Sequence, residues 1–327
     1  MIFLRPMLIV IIFLFGVLAP LLQPLAGSDI AEELRHAQAL LAKGEYEKAF
    51  AEYRCFAEEK NNPLAQFTLG LFFQYGWGRP ADSAAACTWY EKAAAGNIPT
   101  AAHFYAECLE KGVGRPVDAA RAAEWYERAA DLGHHMSLCA LSALYMTGKG
   151  VPKDPARGLA FCRKAAEQNV VSAQVQTALY LLQGDESIRD YDEAFQWFYT
   201  AARGNSPEAP YYLGIMLRDG IGRAKAPQAA RSWFESAASR GYGPAYFPTG
   251  ELYFHAPPDP QTGKPTARNL AKAYLWLSAE MRQTQDLQGR EQAEVLLKKV
   301  LQLMPVSWRP ELDAKVDAHF SAHPPQP

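Results

Sequence analysis

A chain of 327 residues, 49% hydrophobic and 21% charged, has the composition of a folded protein and excludes a disordered one. A formal net charge of −2, with no concentrated Lys/Arg stripe, excludes the electrostatic footprint of a nucleic-acid binder. Alanine dominates the middle of the chain and Val/Ile runs are scarce there, which predicts helices that approach one another through small side chains.

Residues 1–28 carry Arg5, a 16-residue apolar run from Met7 to Leu22, and the small residues Ala26, Gly27 and Ser28. A basic start, a short apolar core and a small-residue exit form a secretory signal. The run is shorter than the roughly 20 residues a comfortable membrane span needs, and Pro20 and Pro24 weaken it further. The mature chain is therefore expected in the periplasm or secreted. The alternative is an uncleaved segment anchoring it to the inner membrane. Ser28 stands where a lipid-bearing cysteine would have to be, so lipidation is not expected.

Residues 29–64 read as a helix pair of divergent sequence. From residue 65 a register of 36 residues takes over. Trp89, Trp125, Phe161, Trp197 and Trp233 keep it, and so do the small residues Gly70, Ala106, Ser142, Ala178, Gly214 and Gly250. Paired alanines follow the same spacing, from Ala93-Ala94 to Ala237-Ala238. Each unit reads as two helices. The first of the opening unit runs from about Leu64 to Tyr75, with Ala65, Leu69, Gly70 and Phe73 on one face. The second runs from about Ser83 to Ala95, with Ala86, Trp89, Tyr90, Ala93 and Ala94 as its apolar stripe.

Asp82, Asp118, Asp154 and Asp190 stand where an N-cap would start each second helix. Ala226 interrupts that column, which predicts a weaker start in the fifth unit. Asn97, Gly133, Asn169, Asn205 and Gly241 follow the second helices, and these are the residue types that close a helix in the left-handed conformation. The loops GWGRPAD, GVGRPVD, GKGVPKD and GIGRAKA lie between the two helices of a unit. A phosphate-binding loop follows a strand and occurs once per site, so these glycines are read as turns.

Six units are expected over residues 65–286, starting near 65, 101, 137, 173, 209 and 245. The sixth carries a six-residue insertion before AYLWLSAE. Residues 287–320 read as amphipathic capping helices that close the stack, and residues 321–327 as a disordered tail. Of the five cysteines, Cys55, Cys87, Cys108, Cys139 and Cys162, at least one cannot pair within a monomer. None forms C-x-x-C. Each falls inside a predicted helix and is expected to act as a small buried apolar residue, with one or two disulfides as the alternative in an oxidising compartment.

With these columns in place, the chain resembles the Sel-one-like repeat (SLR) family, a relative of the tetratricopeptide repeat. AQFTLGLFFQYGWGRPADSAAACTWYEKAAAGN, residues 65–97, matches the family pattern closely, and residues 101–133 match it nearly as well. The resemblance implies an all-α solenoid of antiparallel helix pairs, wound as a right-handed superhelix whose first helices line a concave face. Some exported members carry paired cysteines in every repeat. This chain lacks that regular pairing, so the disulfide-stapled form is not expected.

The resemblance also implies a protein or peptide partner. The first-helix positions not used by the repeat columns form the candidate contact stripe: Phe67, Leu71 and Gln74; His103, Glu107 and Glu110; Tyr211 and Arg218; and Glu251. The corresponding rows beginning at Cys139 and Val175 are expected to pack between units. No H-E-x-x-H, G-x-S-x-G or spaced set of acidic ligands occurs, and His134 and His135 sit in a loop. No enzyme activity, cofactor or metal is therefore expected. The leading reading is an exported scaffold for protein interactions in envelope assembly or signalling. The alternative is recognition of peptidoglycan or glycan fragments, or weak cell-wall hydrolysis, for which a second carboxylate about 5–9 Å from a catalytic acid would speak.

Overall fold

Asp82, Asp118, Asp154 and Asp190 each accept a backbone N–H three residues on, at 2.9–3.0 Å, and a helix follows each of them. The computed structural model describes residues 33–284 and 286–324. The expected signal segment lies outside the described residues. Within them are sixteen α-helices and no strand. The divergent first pair is α1 (Arg35–Ala42) and α2 (Tyr46–Glu59). The repeats follow as α3 (Pro63–Tyr75), α4 (Ser83–Ala95), α5 (Pro99–Lys111), α6 (Ala119–Asp131), α7 (Met136–Thr147) and α8 (Pro155–Glu167). They continue as α9 (Val171–Gln183), α10 (Tyr191–Arg203), α11 (Ala209–Asp219), α12 (Pro227–Ser239), α13 (Tyr246–Phe254) and α14 (Ala267–Gln283). The chain closes with α15 (Leu287–Leu303) and α16 (Arg309–Ala322). Ser321 and Ala322, assigned to a disordered tail on sequence, form the last turn of α16.

The local signals act as their chemistry requires. Gly76, Gly112, Gly148 and Gly220 end the first helices with φ of 65–77°. Asn97, Asn169 and Asn205 take φ of 60–66° after the second helices. Ala226 offers no side-chain acceptor to the start of α12. The fourth unit differs: Gly184 is extended, and a short 3-10 turn, Glu186–Ile188, buries Ile188 where the other loops carry a second glycine.

The described residues form two compact units, one ending at Pro116 and the other beginning at Val117. The first is built on Leu34, Leu40, Phe50, Tyr53, Leu69 and Phe72. The second has one apolar core around Leu159, Leu181, Phe198 and Leu213. A further core around Tyr246, Tyr253, Trp276, Leu277 and Val300 joins the sixth helix pair to the closing helices. There Tyr274 donates to Asp313 at 2.7 Å, and the Tyr246 hydroxyl lies 2.9 Å from His319 Nε2.

The sixth pair also shows its register. A Cβ added at Gly214 would lie 2.7 Å from the Phe234 ring, and one at Gly250 would lie 2.7 Å from Leu277. The two partners are 20 and 27 residues downstream of their glycines, as the numbers give (234 − 214 and 277 − 250). The insertion is thus seven residues in the packing register, one more than the sequence reading.

Four cysteines are paired in two disulfides, which corrects the leading expectation of buried thiols in favour of the alternative of one or two disulfides. Cys87 on α4 bonds Cys108 on α5, and Cys139 on α7 bonds Cys162 on α8. Cys55 is a free, exposed thiol on α2. The bridged Cα atoms lie 5.9 and 4.5 Å apart. One bridge joins successive repeats and the other joins two helices of one repeat. That is why no regular cysteine column shows in the sequence.

Candidate partner-binding clefts

The first unit contains a hollow of about 170 Å³. Gln74 from α3, Cys87 and Tyr90 from α4, and Phe104, Glu107, Cys108 and Lys111 from α5 line it. Gln74 and Glu107 are thus brought together as the stripe predicted. Phe67 and Leu71 are buried, at 2% and 4% exposure, and present no surface. Phe67 stacks on Phe104 with ring centroids 6.1 Å apart, so the apolar end of this row supports the hollow from beneath. The Tyr90 hydroxyl donates to Gln74 Oε1. Burial holds the Tyr90 hydroxyl well above the usual phenol range.

His103 and Glu110 are half-buried on the same helix and do not line the hollow. The His103 ring lies 3.7 Å from Glu107. Burial, and then the charge of Lys111, nevertheless push it down to about 4. Lys111 pairs with Glu107 at 3.3 Å. Tyr90, Phe104, Lys111 and the disulfide were missed by the stripe reading. Tyr90 belongs to the packing column and is buried, yet it also lines the hollow.

The second unit holds two larger clefts. One, of about 410 Å³, is lined by Tyr211 and Arg218 from α11, the Gly243–Pro244 turn, Phe247 and Pro248 from α13, and Glu280 and Gln283 from α14, with Thr284 beyond it. The other, of about 430 Å³, shares Phe247 and adds Glu251, His255, Glu291, Gln292, Val295 and Leu296. The stripe residues Tyr211, Arg218 and Glu251 therefore all face open space. Glu280, Gln283 and Glu291 come from elements outside the stripe.

Arg218 forks onto Asp219 through Nε and Nη2 at 2.7 and 2.8 Å. That hydrogen bonding, with the charges of Asp219 and Glu251, raises the Arg218 guanidinium, and the same hydrogen bonding, with the charges of Arg218 and Lys225, lowers the Asp219 carboxyl. Tyr211 is held among Tyr212, Phe234 and Tyr242, with ring centroids 5.3–5.6 Å away. Burial raises the Glu280 carboxyl, against hydrogen bonds from Thr284 and the Phe247 N–H.

In the Val175 row, Val175 and Leu182 are buried. The Cys139 row does not fill between units: Cys139 is bonded to Cys162 and Met146 sits against the Leu159 core, both within one repeat, and Ala143 is exposed. Among the described residues no group of three or more His, Cys, Asp or Glu is placed to hold a metal ion. No described helix is long and apolar enough to cross a membrane.

Consecutive helix pairs, one period and surface clefts between helices define a helical-repeat protein of the tetratricopeptide-like class. The Sel1 repeat model matches residues 63–98, 99–134, 135–170, 171–206 and 207–242, more than half of the chain. The chain belongs to the Sel1 repeat family, whose members mediate protein–protein interactions and are typically non-catalytic scaffolds. The sixth helix pair lies beyond the matched residues.

Among solved structures, a Sel1 repeat protein from Oxalobacter formigenes is similar at 25% identity and a TM-score of 0.62, over 76% of this chain and 99% of that one. A protective antigen of uropathogenic Escherichia coli with an SLR fold gives a TM-score of 0.68 at 22% identity. That match covers 89% of this chain but 61% of the antigen. Chitin synthase regulatory factor 3 of Schizosaccharomyces pombe is 33% identical over 78 residues, which is 23% of this chain and 8% of the yeast protein.

Proposed function

We propose that this protein is an exported, non-enzymatic scaffold that holds a protein or peptide partner on the first-helix faces of its repeats, in bacterial envelope assembly or signalling. One observation carries the reading: Tyr211, Arg218 and Glu251, which the repeat columns leave unused, line clefts large enough for ligand side chains. Fixed packing columns beside changeable surface positions are what a recognition surface needs. Export is supported by the signal-like segment and by two disulfides, which persist in oxidising compartments.

The test places a photo-crosslinking residue at position 74, 211 or 218, with position 124 on the exposed face of α6 as the control, in cells of the native host. Adducts of defined mass at the cleft positions, absent at 124, are expected, as is a mature N-terminus near Asp29. Equal labelling at all four positions would reject cleft-based recognition. Recovery of the chain in the cytosolic fraction with its first residues intact would reject export.

A further inference from the structure

In each repeat matched by the family model, the aromatic residue of the second helix is followed four positions later by alanine: Ala93, Ala129, Ala165, Ala201 and Ala237. All five alanines are fully buried. In the sixth pair Trp276 stands in the aromatic position, since its neighbour Leu277 meets Gly250 as Phe234 meets Gly214. Four residues beyond Trp276 comes Glu280. A carboxylate thus occupies the position that the other repeats reserve for a buried methyl group, and it opens into the cleft of about 410 Å³.

The groups acting on Glu280 are the Thr284 hydroxyl, the Phe247 N–H and the repulsive charge of Asp286. No lysine, arginine or histidine among the described residues pairs with it. The one cation lining the cleft, Arg218, is held by Asp219 and attracted by Glu251. Lining the cleft are one carboxylate, Glu280, and one guanidinium, which Asp219 already holds, while Asp286 adds negative charge beside Glu280 and the neighbouring cleft adds Glu251 and Glu291. The local field is acidic although the chain as a whole is near neutral, and such a field selects a cationic partner.

The walls narrow the choice of cation. Tyr211 and Phe247 line the cleft, with Pro244 and Pro248 beside them and the Gln283 amide and Thr284 hydroxyl at the rim. A guanidinium stacks on aromatic faces and presents a planar fork of donors that fits a carboxylate, whereas an ammonium is a compact, strongly hydrated point charge. Taking the partner-scaffold reading as its basis, we infer that this cleft binds an arginine side chain of a protein partner. The Glu280 carboxylate accepts the guanidinium N–H groups, and Tyr211 and Phe247 flank its plane.

Glu280 has a second role that the test must separate. The Phe247 N–H lies in the first turn of α13, where Ala245 gives no side-chain cap, and it acts to lower the Glu280 carboxyl. A carboxylate has about four acceptor sites, which leaves acceptors for a ligand. Glutamine keeps an acceptor oxygen toward that N–H and removes the charge.

The experiment probes the full mature chain with an array of short immobilised peptides carrying a central arginine in varied flanks, each with a citrulline and a lysine twin. Wild type is expected to retain a subset of arginine peptides and to bind their citrulline twins at least about tenfold more weakly, a loss of roughly 1.4 kcal/mol. Glu280→Gln should bring the arginine and citrulline peptides level without lowering the thermal midpoint. Glu124→Gln, on exposed α6, should change neither. Equal binding of arginine and citrulline peptides to wild type, an unchanged preference in Glu280→Gln, or no retention of any peptide would overturn the inference. Peptides retained without regard to arginine would leave the scaffold reading standing. That reading falls instead with the crosslinking experiment above.

Discussion

The hollow of the first unit and the clefts of the second are made from one repeat by different means. Around Cys87–Cys108 the repeat keeps its register, and the hollow is small. Its charges are already paired, Lys111 with Glu107, and its Tyr90 hydroxyl donates to Gln74. Around Glu280 the register is broken by seven inserted residues, and α14 runs to 17 residues where α4, α6, α8, α10 and α12 have 13. By that register the span of α12 falls on residues 270–282, so three of the four extra residues precede it and Gln283 alone lengthens the end that borders the cleft, where the Glu280 carboxylate stands without a basic partner. A regular repeat closes on itself, and a departure from it opens surface with unmatched charge.

The largest effects should come from the staples, one in each unit. Cys87→Ala with Cys108→Ala removes a link between repeats, and Cys139→Ala with Cys162→Ala removes one within a repeat. Each pair closes a loop of 21 or 23 residues, so each double variant should lose about 3 kcal/mol in urea unfolding under oxidising conditions. Under reductant the difference from wild type should vanish. A double variant as stable as oxidised wild type would mean that its bridge contributes nothing.

Next come the close helix contacts. Gly214→Ala presses a methyl group into Phe234, and Gly250→Ala presses one into Leu277. Each should cost about 1–3 kcal/mol through overpacking, read from the same titration. If Gly250→Ala were neutral while Gly214→Ala was not, the seven-residue register of the sixth pair would be wrong.

A third comparison uses acid. His103 in the first unit titrates at about 4, below the ordinary value of about 6.5. Its neutral form contributes stability that is present above about pH 6.5 and is lost as pH falls toward 4, because the unfolded chain takes up the proton first. His103→Gln should lack that part of the acid sensitivity. The smallest effect has the opposite sign. The Glu280 carboxyl is raised by burial, so its ionisation burdens the fold as pH rises. Glu280→Gln should be slightly more stable than wild type at neutral pH, and the two should converge below about pH 4, where unfolded glutamate is protonated. Parallel stability profiles across the acid range for either variant would remove that residue from the account.

The helices were legible because their signals are local and repeated. Asp82 and its equivalents accept the N–H groups that their position offers, and Asn97 and its equivalents take the conformation that their residue type allows. The contact stripe was legible in part. Gln74, Glu107, Tyr211, Arg218 and Glu251 reach open space, while on the same helix face as Gln74, Phe67 is covered by Tyr90 and Phe104 and Leu71 is buried. A spacing along one helix says which side chains share a face; it carries no information about how far the next helix reaches across it.

The sequence by itself determined the helix pairs, their turns and the family, because a period of 36 residues written in caps, glycines and alanines needs no long-range contact to be read. Only the tertiary structure decided which cysteines pair, which stripe residues are covered, and that Glu280 faces a cleft. Each of these depends on two side chains meeting across different helices. Such meetings follow the packing register, which in the sixth pair departs from the register of the sequence.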